Sequence, residues 1–113
     1  MTHSMKELDL PSLLKLIAGT PIDERYPSNP IFGQYHDAIL EYYNRTNTTE
    51  EDKSIIVIAL NMTHTALIYG YMDYQRRSSM SNYNVMSANE LMPKYLNDFK
   101  EYQKILKEMI HYT

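Results

Sequence analysis

The chain has 113 residues, a formal charge of −3, 43% hydrophobic and 22% charged residues, 11 tyrosines and no cysteine. Those values fit one globular domain and exclude wholesale disorder, disulfides, thiolate catalysis and cysteine-based zinc sites. The acidic balance, with a pI near 5.7, disfavours a general nucleic-acid binder, which carries a basic excess. Only 3 glycines and 5 prolines are present, too few for the turns of an all-β fold, so the composition points to helices.

The first predicted helix spans about Leu10 to Ala18. Asp9 stands where it can cap the free N–H groups, and Pro11 falls in the first turn, where a missing N–H does no harm. Leu10, Leu13, Leu14 and Ile17 recur at helical spacing, and Gly19 followed by Pro21 stops the run. Pro21, Pro27 and Pro30 then prevent regular structure from Thr20 to Ser28.

Asn29-Pro30 opens a second predicted helix that runs to about Asn44. Its apolar face is Ile31, Phe32, Tyr35, Ile39, Tyr42 and Tyr43, with Ala38 beside it. Thr49 opens a third, with Glu50, Glu51 and Asp52 complementing the positive end of the helix dipole and Arg76 and Arg77 the negative end. Ile55, Ile56, Ala59, Met62, Thr63, Ala66, Leu67, Gly70 and Tyr74 follow helical spacing. Val57, Ile58, Leu60 and Ile68 thicken the face, so this helix should be central and touched on several sides.

Ser78 to Met86 is polar and reads as a loop. Ser87-Ala88-Asn89-Glu90 matches a capping box and should start the fourth helix, with Pro93 disturbing its first turns. From there Tyr95, Phe99, Tyr102, Leu106 and Met109 alternate spacings of four and three. This seam can serve the chain's own core or a second copy. Lys94, Lys100, Lys104 and Lys107 lie off the seam among acidic residues, as on a solvated surface. The expectation is a single all-α domain over residues 1–113, a compact bundle of about four helices with the third and fourth long, and with dimerisation open.

Catalytic signatures are lacking. No histidine pair has the i, i+4 spacing of helical zinc sites, and no phosphate-cradling glycine loop or serine elbow occurs. His36 and His64 sit in the second and third helices, where a structural role is the simpler reading. Asp73 has the most apolar sequence surroundings of the carboxylates, and a solvated or arginine-paired role is expected of it. Met1 to Leu10 carries Lys6, Glu7 and Asp9 rather than an apolar leader, and the longest uninterrupted apolar run, Ile55 to Leu60, is too short to span a bilayer. A cytoplasmic protein without a membrane segment is expected. The codon bias implied by abundant Tyr, Ile, Asn and Lys suggests a low-GC bacterium or its phage.

The segment from Tyr69 to Asn84 has the composition of a binding surface: rigid amphipathic tyrosines, arginine anchors, and adaptable Ser and Asn. Tyr69, Tyr71, Tyr74, Arg76, Arg77 and Tyr83 are the candidate partner-binding residues; no catalytic residue, metal or cofactor is expected. The leading expectation is a non-enzymatic regulatory protein, of the kind phages and mobile elements use as inhibitors, that engages a protein partner. The alternatives are a helical protein sequestering an anionic small molecule or nucleotide, and a single-strand nucleic-acid binder, which the acidic balance disfavours.

Overall fold

A computed structural model describes residues 7–78 and 82–111, apart from the side chains of 82–84 and 111. Among these residues all regular structure is helical: α1 (Leu10–Ala18), α2 (Ile31–Tyr43), α3 (Glu50–Ser78) and α4 (Asn82–His111). The long pair α3 and α4 pack against each other, α2 lies along α3, and α1 closes the end between them.

Helix starts follow the sequence closely. Asp9 Oδ1 accepts from the Ser12 N–H at 2.8 Å, and these bonds from Ser12 hold the Asp9 carboxyl below its ordinary range. Asn29 Oδ1 accepts from the Ile31 N–H at 3.0 Å, and Thr49 Oγ1 from the Asp52 N–H at 3.1 Å. Each satisfies a donor that an α-helix leaves orphaned at its first turn. At the other end of α1, the Gln103 side chain of α4 donates to the Ala18 carbonyl at 3.0 Å, tying two distant parts of the chain together.

The main core cluster is drawn from all four helices, with Leu13, Ile17, Phe32, Ile39, Ile56, Met62, Phe99 and Leu106 almost wholly excluded from solvent. Phe32 meets Phe99 edge to face with ring centroids 5.6 Å apart, a geometry favoured by the aromatic quadrupole. The seam of α4 is therefore spent inside the chain: Phe99 and Leu106 are buried, and Tyr102 and Met109 pack against the same cluster. Several tyrosines serve as polar-edged core residues. The Tyr35 hydroxyl pairs with Thr20 Oγ1 at 2.9 Å, and the Tyr42 hydroxyl donates to the Leu8 carbonyl.

The start of α4 differs from expectation. Helix begins at Asn82, and the capping-box match at Ser87 lies inside it. The cause is tertiary: Ala88 and Met92 pack with Tyr69 in a second, smaller cluster that also gathers Met72, Tyr95 and Leu96. Burial on the last turns of α3 thus pulls a polar segment into helix against its local turn preference. Pro93 sits well inside α4 but on its exposed side, where the carbonyl that loses its partner faces water. Ser79 to Ser81, part of the predicted loop, lie outside the described residues.

Candidate partner-binding surface

α3 carries the candidate site because its apolar residues do not all fit one face. Ile55, Ile56, Ala59, Met62, Thr63, Ala66, Tyr69, Gly70 and Asp73 point inward. Leu67 and Tyr74, which the sequence assigns to the inner stripe, stand on the outer side. By length and composition α3 could even cross a bilayer, which the short uninterrupted run Ile55 to Leu60 understates, and half of that apolar stretch is buried by the other helices.

The chain from Tyr26 to Pro30 crosses α3 at Gly70, which it helps to bury. A methyl group on Gly70 would lie 2.7 Å from the Pro27 carbonyl oxygen and 3.1 Å from Ser28 Cα. The backbones can approach this closely only because no side chain intervenes, and the Ser28 hydroxyl donates to the Gly70 carbonyl at 3.0 Å. Between this crossing strand and the helix runs a groove of about 500 Å³, lined by Pro27, Pro30, Leu67, Gly70, Tyr71 and Tyr74 among others. A neighbouring hollow of about 380 Å³ is bounded by Tyr26, Asp73 and Arg77.

The six candidate residues part company here. Tyr71 and Tyr74 are 58% and 63% exposed and border the groove, joined by Tyr26 at 72%, which the sequence reading left out. Tyr69 is buried against α4 and supports the surface from beneath; burial pushes its phenol pKa up. Arg77 faces the groove side, whereas Arg76 turns to the α4 side near Glu24 and Met92. The side chain of Tyr83 lies outside the described residues. Gly70 left a legible signal: it is the single glycine of α3, and a glycine inside a helix costs about 1 kcal/mol unless close packing requires it.

Both arginines grip one buried carboxylate. Asp73 is 2% exposed. Its Oδ1 accepts a hydrogen bond from Arg76 at 2.6 Å, and its Oδ2 forms an ion pair with Arg77 Nε at 3.0 Å. The arginine-paired reading of Asp73 holds and the solvated one does not. Arg76 and Arg77 are thus structural groups whose outer surfaces also face solvent.

Further along the same face, His36 of α2 and His64 of α3 lie with ring centroids 6.2 Å apart. Thr63 Oγ1 is within 3.0 Å of the Ala59 carbonyl and 3.1 Å of the Leu60 carbonyl, which takes its one hydrogen. With that hydrogen on a carbonyl, the 3.0 Å contact with His36 Nδ1 is donated by the imidazole, the tautomer with its proton on Nδ1. Burial, then the neighbouring His64, hold the His36 pKa below its ordinary value, against a smaller opposing pull from Asp37. The folded chain therefore binds fewer protons here than the unfolded chain does. Stability from this site should be full above about pH 6.5 and fall as pH drops through that value toward the lowered folded pKa. Urea midpoints taken between about pH 7.5 and pH 5.5 should fall further for the native chain than for His36→Gln, which keeps a donor for Thr63 without an ionising ring. Equal slopes for the two would refute the assignment.

No group of three or more histidines, aspartates or glutamates converges as a metal site among the described residues. No family model, curated protein or solved structure matches the chain.

Proposed function

We propose that the chain is a non-enzymatic binding protein that engages another protein chain through the outer face of α3 and the crossing strand from Tyr26 to Pro30. The observation that carries this reading is the exposure of three tyrosine rings: Tyr71 and Tyr74 on a groove with proline walls, and Tyr26 on the neighbouring hollow. Tyrosine offers a large apolar face with few rotatable bonds and a hydroxyl that tolerates both water and a partner, which is why it concentrates at binding hot spots. An anionic small ligand is the weaker alternative, because Asp73 is already ion-paired with both of the arginines such a ligand would need.

The reading is tested by photocross-linking in the cells that make the protein. A benzophenone side chain at position 74 should yield a discrete cross-linked product that Tyr26→Ala and Tyr71→Ala together remove, with the circular dichroism spectrum unchanged. A benzophenone at Lys100, on the charged face of α4, should give none. Identical products from both positions, or a product at position 74 indifferent to the tyrosines, would reject the surface.

A further inference from the structure

We propose that the partner of this face is a second copy of the chain, with the two α3 helices running antiparallel across a two-fold axis. The inference rests on the reading of α3's outer face as a binding surface, and it names what covers most of it.

Val57, Leu60, His64, Leu67, Tyr71 and Tyr74 succeed one another at spacings of three, four, three, four and three. Four of them are among the exposed large hydrophobic residues of the chain. His64 is also exposed, and Leu60 is partly so. That alternation keeps one row of side chains on a single edge of a helix and is the spacing by which two helices interlock. α4 carries a row of the same kind, and the chain's own core occupies it. α2 flanks the α3 row on one side, where Gly33 lies against Leu67 and the His36 ring beside His64, while Val57, Tyr71 and Tyr74 stay exposed. Leu40 and Tyr43 of α2, also exposed, extend the same face sideways.

Three further observations select a second copy. The row bears no carboxylate, ammonium or guanidinium group, so it does not repel its own likeness. The ends of α3 are charged oppositely, with Glu50, Glu51 and Asp52 in the first turn and Arg76 and Arg77 in the last. An antiparallel copy opposes the helix dipoles favourably and sets the acidic first turn of one helix toward the end of the other, where two arginines outnumber the one carboxylate they hold, while a parallel copy sets like beside like. The side of α3 turned away from the core leaves Val57, His64 and Tyr71 exposed together, in a molecule whose shortest dimension is 23 Å.

Size agrees. From Val57 to Tyr74 the row is about 26 Å long at 1.5 Å per residue. With α2 beside it, at about 10–12 Å of width per helix, the ridged face amounts to roughly 570 Å² per protomer in projection, near the lower bound of a specific two-fold interface.

The spacing also fixes a register. Centred between His64 and Leu67, the antiparallel pairing sets Val57 against the partner copy's Tyr74, Leu60 against Tyr71 and His64 against Leu67. Each tyrosine then covers an aliphatic residue.

Sedimentation equilibrium of the purified chain at about 100 µM should give twice 13.3 kDa. Val57→Glu and Leu67→Glu, each on an exposed position, should each give the monomer mass with helicity retained. Because the chain has no cysteine, register can be read directly. Val57→Cys and Tyr74→Cys in one chain lie too far apart along α3 to bond within it, and should form a disulfide-linked dimer in air; either substitution alone should remain uncross-linked. A monomeric native chain overturns the second copy, as does a monomer that instead co-sediments with phospholipid vesicles. In both cases the heterologous-partner reading keeps its own test at position 74. A dimer indifferent to Val57→Glu, or one whose double-cysteine form stays unlinked, overturns this face and this register.

Discussion

Gly70→Ala should lower the stability of the chain by about 2 kcal/mol, seen as a fall in the thermal midpoint on the order of 8 °C. Two effects oppose each other. Alanine is the better helix former by about 1 kcal/mol. The added methyl, however, would meet the Pro27 carbonyl oxygen at 2.7 Å and Ser28 Cα at 3.1 Å. Both obstacles are backbone, and the strand between Pro27 and Pro30 is too constrained to swing aside as a side-chain tip could. Relief requires lifting the crossing strand off α3, which breaks the hydrogen bond from Ser28 to the Gly70 carbonyl and reshapes the groove. Gly33→Ala is the control: its methyl meets only Leu67 Cδ2, at 3.9 Å, so there the helix propensity term should win and stability should hold or rise by up to about 1 kcal/mol. If the two substitutions had the same sign, close approach at Gly70 would not be what holds the strand.

How far the sequence discloses this arrangement depends on the range of the force involved. Helix starts were legible to within a residue or two at α1, α2 and α3, because Asp9, Asn29 and Thr49 act on N–H groups two or three residues away. The start of α4 was not, because packing of Ala88 and Met92 on Tyr69 outweighs the turn chemistry of the preceding segment. The same limit governs the site. Composition singles out Tyr69 to Asn84 as unusual, but only packing decides that Tyr69 turns in and Tyr71 and Tyr74 turn out. Tyr26 lies more than forty residues upstream of the others and joins them through the close crossing at Gly70. An inward Asp73 runs against apolar patterning, and it is accommodated because two arginines, three and four positions on, reach back to it.

That arrangement makes the two arginines non-additive. Arg76→Ala alone leaves Arg77 on Asp73, and Arg77→Ala alone leaves the 2.6 Å contact from Arg76; each should cost no more than about 1 kcal/mol, since the two arginine side chains are 40% and 61% exposed. The double substitution strands a carboxylate that is only 3% exposed, and the cost of a buried charge without a partner is about 3 kcal/mol or more. The double mutant should therefore be destabilised by clearly more than the sum of the single effects, a coupling measurable from chemical denaturation of all four chains. Adding Asp73→Asn to the double mutant removes the charge at nearly constant shape and should recover about 2 kcal/mol. Additive single effects, or no recovery with Asp73→Asn, would mean that the carboxylate reaches water in solution. The same coupling dictates how the binding surface is probed: loss of partner capture in an Arg76→Ala, Arg77→Ala chain would report a damaged α3 end as readily as a lost contact, whereas the exposed rings of Tyr71 and Tyr74 can be truncated without touching Asp73.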